Sequence, residues 1–156
     1  MNERHPEAEA RMVDVSAKDV TDREAVAACS VLMSSSTTEM VFERRLDKGD
    51  ALEVARIAGI MAAKKTSELI PLCHPIAITA VGVSFDRVEQ GVEIEAFVRT
   101  SERTGVEMEA LSAVSVAALT IYDMVKGTER AVAITDVRLL RKSGGRSGLW
   151  ERASSR

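Results

Sequence analysis

The sequence predicts an α+β fold, a ferredoxin-like sandwich in which an antiparallel sheet carries helices on one face. Two β-rich runs, Ile76–Val88 and Gly91–Thr100, are joined by a turn near Glu89–Gly91 and read as a hairpin. A strongly apolar helix from about Thr104 to Lys126 follows, and then a last strand, Ala131–Arg141. With a strand and helices ahead of the hairpin, the order is β, helices, β, β, α, β, the pattern of that sandwich.

Taken in order, Arg23–Met33 is read as the first strand, because β-like alternation late in the run outweighs a capping box between Thr21 and Glu24. Ser36–Phe42 forms a short helix and Leu46–Asp50 a turn. Asp50 caps the next helix, with Glu53 as its reciprocal partner. That helix runs to about Leu69, offers Ala51, Ala55, Ala58, Gly59, Ala62 and Ala63 as a small face for close packing, and is ended by Pro71. In the long helix, Val106, Ala110, Leu111, Ala113, Val114, Ala117, Ala118, Leu119, Ile121, Met124 and Val125 cover nearly every face, as in a helix wrapped by protein on most sides. The second face of the sheet, or the Ala-rich helices, needs a cover, and another subunit is the economical one. A single catalytic domain is expected over 12–148, between flexible tails at 1–11 and 149–156.

The 156 residues suit one domain, and 46% hydrophobic residues with only 3% aromatics describe a core of small side chains. Twenty-one basic and 24 acidic residues leave a net charge of −3, which recruits neither nucleic acid nor a membrane surface. Any anion must be held by a local cluster. Cys29 and Cys73 are too few and too far apart for a disulfide framework or a CxxC metal site, which fits a reducing cytoplasm; no metal is expected. The first eleven residues lack a signal-peptide apolar core and no run approaches 18 apolar residues, so a soluble cytoplasmic protein is expected.

Charges within the apolar helix need partners. Glu107 and Glu109 in its first turn complement the dipole, the plain explanation for both. Asp123 opposes the dipole near the far end and shares a face with Lys126, three residues on, which makes it a candidate general acid or base in a disfavoured, partly buried place. Fourteen residues separate Glu109 from Asp123, about 21 Å along the axis, too far for one small molecule to touch both. Functional ends then require two sites, or one site assembled from two chains. His74 sits in a loop pinned by Pro71 and Pro75, a rigid presentation suited to proton transfer or phosphate binding. Lys48 lies in the tight turn before a helix N-terminus, where its ammonium could meet an anion, and Arg56, Lys64 and Lys65 add charge along that helix. Arg141–Gly148 mixes basic, hydroxyl and glycine residues able to wrap a phosphate, although a flexible basic tail explains the same composition. This set of Asp, Glu, His, Lys and Arg, without a Ser or Cys triad or metal-ligand spacing, fits acid–base chemistry on a phosphorylated molecule.

At Met12–Ser16 (MVDVS), Lys48–Asp50 (KGD), Ala55–Ile60 (ARIAGI), Leu69–Pro75 (LIPLCHP), Thr104–Leu111 (TGVEMEAL), Ala117–Met124 (AALTIYDM) and Lys142–Gly145 (KSGG) the sequence resembles the cyclic pyranopterin monophosphate synthase family, molybdenum-cofactor biosynthesis protein C. The resemblance implies a lyase that converts (8S)-3′,8-cyclo-7,8-dihydroguanosine 5′-triphosphate to cyclic pyranopterin monophosphate with release of diphosphate. It implies a ferredoxin-like fold and a homohexamer of three dimers, with no cofactor beyond any magnesium accompanying the triphosphate. By position it makes Asp123 the general acid/base, with Lys48, His74 and Lys126 around it. Leu72, Cys73, His74, Met108 and Glu109 would contact substrate, with Glu107 close by and Lys64 and Lys142 as further substrate contacts. Against the family pattern Asp47 stands where a basic residue is common, while Arg103 and Arg146 replace lysines with retention of charge. The rival reading is a non-catalytic nucleotide- or pterin-sensing domain of the same fold, which would bind without forming product.

Overall fold

The computed structural model of the chain describes residues 9–154. Its elements are β1 (Thr21–Leu32), α1 (Ser35–Phe42), α2 (Ala51–Lys64), α3 (Thr66–Leu69), β2 (Ile78–Val88), β3 (Gly91–Glu102), α4 (Glu107–Val125), β4 (Ala133–Ser143) and β5 (Trp150–Glu151). The sheet is ordered β2-β3-β1-β4-β5, with every neighbouring pair antiparallel. Its first four strands give the expected ferredoxin-like arrangement, with α2 and α4 packed on one face.

Alternation builds the core. Ala25, Ala27, Cys29 and Val31 of β1 and Val92, Ile94, Ala96 and Val98 of β3 all face the helices. Ala110, Ala113, Val114, Ala117 and Ile121 of α4 complete the layer. Gly59 lets α2 approach α4 closely, since a Cβ there would lie 2.9 Å from the Ala113 carbonyl oxygen and 3.1 Å from a Val83 methyl.

Thr21 and Glu24 pair with β3, opposite Glu102 and Arg99, in keeping with the strand preferred over a capping box there. Several other local expectations are corrected. Asp50 does cap α2, accepting from Glu53 N–H at 3.2 Å, while the Glu53 carboxylate turns to Arg56 at 3.2 Å. The single helix expected up to Leu69 breaks at Lys65, where the Thr66 hydroxyl donates to the carbonyls of Ala62 and Ala63. The long helix begins at Glu107, not at Thr104. It is covered on most sides within one chain, Met108, Leu119 and Asp123 being its exposed residues. The expected tail at 149–156 instead contains β5, whose Trp150 pairs with Lys142 and Glu151 with Arg141. The N-terminal tail expected at 1–11 lies mostly outside the described residues, and 9–11 have no regular structure.

Successive elements run in opposite directions, so the sandwich has two chemically distinct ends. One gathers the end of β1, the start of α2 and the end of α4, and so Lys48, Asp123 and Lys126. The other gathers the start of β1, the end of α2, the start of α4 and the end of β4, and so Lys64, His74, Glu107, Glu109 and Lys142.

Candidate active site

The first end is built on a turn and a helix terminus. Gly49, at φ +103°, supplies a left-handed residue that closes the turn onto the Leu46 carbonyl and presents Lys48 ahead of α2. Lys48 Nζ reaches the Asp123 carboxylate at 2.9 Å and the Asp123 carbonyl at 3.1 Å. Lys126 Nζ meets the other carboxylate oxygen at 2.7 Å. Two ammonium groups therefore offset the dipole that an acid at a helix C-terminus opposes, and Lys48 also satisfies a terminal carbonyl. Asp123 is not the partly buried acid expected: its side chain is 53% exposed. Hydrogen bonds from Lys126 and then Lys48 outweigh the remaining desolvation and hold its pKa down at about 2. Asp123 is thus an ionised carboxylate fixed between two ammonium groups.

The second end is built on the proline-pinned loop and the start of α4. Cys73 Sγ donates to Glu109 Oε1 at 3.6 Å. Burial, then the Glu109 charge, pushes the Cys73 thiol up to about 11. Glu109 itself is only 2% exposed, and its Oε2 has no hydrogen-bond partner. Burial raises its pKa, so desolvation outweighs the helix dipole that the sequence suggested would hold a carboxylate there. Glu107, two residues earlier, folds its carboxylate back over Gly105. His74 Nε2 lies 2.7 Å from the Val13 carbonyl, which anchors the N-terminal segment across the loop. Between them opens a cleft of about 350 Å³ whose walls include Leu72, Cys73, His74, Met108, Val13 and Lys18.

Lys18 also lines a neighbouring cavity of about 410 Å³, together with Arg23, Arg146 and Ser147. Arg23 is fixed there by donation to the carbonyls of Glu102 (3.1 Å) and Arg103 (3.2 Å), and Arg103 in turn holds the Ser16 carbonyl at 2.7 Å. Lys142 Nζ contacts the Ser147 hydroxyl and reaches the Gly144 carbonyl at 3.5 Å. Lys64 lines a separate cleft with Ile76 and Ile78 at the same end. Lys18 and Arg23 were missed in the sequence. A signal for Arg23 existed, since it shares the alternation of Ala25 and Ala27 and so puts a cation on the core-facing register of a strand.

The structure therefore joins Lys48, Asp123 and Lys126, and separately joins Leu72, Cys73, His74, Met108 and Glu109 with Glu107 nearby. Within one chain His74 stands at the opposite end of α4 from Asp123. The direction of α2 decides this, because it carries the chain from Lys48 at one end to Pro71 at the other. Among the described residues no three His, Cys, Asp or Glu side chains group as metal ligands.

These features define a ferredoxin-like protein equipped for acid–base chemistry on an anionic molecule. The sequence model of the MoaC family matches residues 12–145, and the chain belongs to that family. A protein of Thermoanaerobacter sp. (strain X514) is 56% identical over 148 residues, covering 94% of each chain. One of Dinoroseobacter shibae is 59% identical over 144 residues, covering 91% of each. One of Streptomyces coelicolor is 56% identical over 144 residues, 92% of this chain and 85% of the relative. All three are named cyclic pyranopterin monophosphate synthase.

Proposed function

We propose that this chain is a cyclic pyranopterin monophosphate synthase of molybdenum-cofactor biosynthesis, a lyase acting on (8S)-3′,8-cyclo-7,8-dihydroguanosine 5′-triphosphate. The observation that carries the reading is the Asp123 carboxylate held between Lys48 at 2.9 Å and Lys126 at 2.7 Å. Opening the imidazole part of the guanine and reclosing it as a pterin demands repeated proton transfers, which an ionised acceptor between two ammonium donors can exchange. Forming the cyclic phosphate joins a substrate hydroxyl oxygen to the α-phosphorus and breaks its bond to the bridging oxygen, which leaves with diphosphate. Cations stabilise that departing charge, and Lys18, Arg23, Lys142 and Arg146 supply them at the second end.

Because about 21 Å of helix separates Asp123 from Glu109, the complete site is assembled from two chains. Asp123, Lys48 and Lys126 of one chain meet Leu72, Cys73, His74, Met108 and Glu109 of another, with Glu107 and Lys64 at its margin. Exposed Val54, Ile57 and Met61 on α2 and Leu119 on α4 supply apolar surface for such a partner. The assembly is a homohexamer of three dimers, the enzyme is cytoplasmic, and no cofactor takes part beyond any magnesium carried by the triphosphate.

The test is incubation of the purified protein with the cyclised guanosine triphosphate, following diphosphate and the pterin product. Wild type forms both, while Asp123→Asn and Lys48→Ala lose about 10²–10⁴-fold in turnover with unchanged fold. Binding without product in the wild type would refute the enzymatic reading in favour of a sensor, and normal turnover in both variants would refute the roles.

A further inference from the structure

The segment after β4 is not a free basic tail. Gly144, Gly145 and Gly148 all hold positive φ, at +90°, +71° and +59°, and Gly148 N–H closes the loop onto the Gly145 carbonyl at 3.2 Å. The loop also lies hard against the start of β1: a Cβ on Gly144 would collide with the Asp22 carbonyl, and one on Gly145 with the Arg23 guanidinium. Its far side is fastened by β5. Arg152 N–H donates to the Leu140 carbonyl at 2.8 Å, and Arg152 Nε donates to the Leu139 carbonyl at 2.7 Å. The Arg152 guanidinium lies 5.8 Å from the centre of the Trp150 ring, within cation–π range. Register places Trp150 directly opposite Lys142, whose other neighbour is Ala25 on the helix-facing side of β1.

We propose that β5 and Arg152 form a clasp that holds the 143–149 loop shut against β1, making Trp150 and Arg152 positioning residues for the capture of the substrate's phosphate end by Lys142 and Arg146. The inference rests on the triphosphate substrate proposed above. Without the clasp, two cations with many rotamers would be ordered only on binding, and the binding equilibrium would carry that entropy.

Arg152→Ala, Arg152→Lys and Trp150→Ala are compared with wild type by calorimetric binding of inorganic tripolyphosphate, by amide exchange of 143–149, and by steady-state kinetics. The expected result for Arg152→Ala and Trp150→Ala is about tenfold weaker tripolyphosphate binding and a matching rise in KM, with kcat changed less than threefold. Faster exchange is expected in the loop alone, and Arg152→Lys, which keeps a donor and the charge, recovers part of the affinity. Unchanged affinity with a loosened loop, or a loop whose exchange does not change, overturns the clasp. So does a wild type that turns over nucleotide but binds no tripolyphosphate, which leaves the proposed activity standing. Absence of turnover with the differences in binding and exchange intact refutes the activity and leaves the clasp.

Discussion

A site shared between chains can be tested by mixing two dead subunits. Asp123→Asn removes the proton acceptor at one end of α4, and Glu109→Gln alters the buried acid about 21 Å away at the other. In a homo-oligomer of either variant every site carries one altered half. Co-expressed in equal amounts and assembled at random, the two chains place an intact Asp123 half on one chain in two and an intact Glu109 half on the neighbour in one of two. About a quarter of all sites then regain both native halves, so the mixed assembly should recover about 25% of wild-type turnover. The assay is diphosphate release by a doubly tagged assembly purified through both tags in turn, with each variant alone as control. Mixed assemblies no more active than the better single variant would refute the shared site, as would an active monomer in sedimentation.

Three further outcomes follow from the geometry. Glu109, raised in pKa by burial, favours folding while protonated, so its contribution is present below the ordinary value of 4.5 and is lost as pH rises above it. Glu109→Gln should therefore raise the thermal midpoint at pH 7 and change it little near pH 4; equal shifts at both would refute the burial argument. Cys73, pushed up to about 11, should alkylate slowly with iodoacetamide at pH 8, and faster in Glu109→Gln, with the rate read by mass spectrometry. Gly59→Ala gains about 1 kcal/mol of helix propensity but forces a methyl to within 2.9 Å of the Ala113 carbonyl oxygen. Overpacking of about 1–3 kcal/mol makes a net loss of about 1 kcal/mol, or roughly 2–4 °C in Tm, the expected result of calorimetry.

The sequence by itself determined the order of the four long strands and the two long helices, the hairpin at Glu89–Gly91, the Asp50 cap, the end of the helical region at Pro71, and the Asp123–Lys126 pair. Each of these depends on contacts within a few residues or on a short period, and such signals survive without knowledge of the rest of the chain. The family motifs were legible for the same reason, as contiguous strings. Only the tertiary structure decided which charges share a neighbourhood. Lys48 and Asp123 meet at 2.9 Å across 75 positions because α2 and α4 run antiparallel, and the same antiparallelism carries His74 away from both. Burial was equally out of reach. By the helix dipole Glu109 looked like an ordinary charge and Asp123 like a disfavoured, partly buried one, yet the first is closed over by protein and rises in pKa while the second stays hydrated between lysines and falls. The strand β5 escaped notice because two residues hold no period, and they become a strand only when Lys142 and Arg141 stand opposite to receive them. Local pattern fixes what each segment can become, but solvent exclusion and charge pairing are properties of the packed chain and are set only when distant segments close on one another.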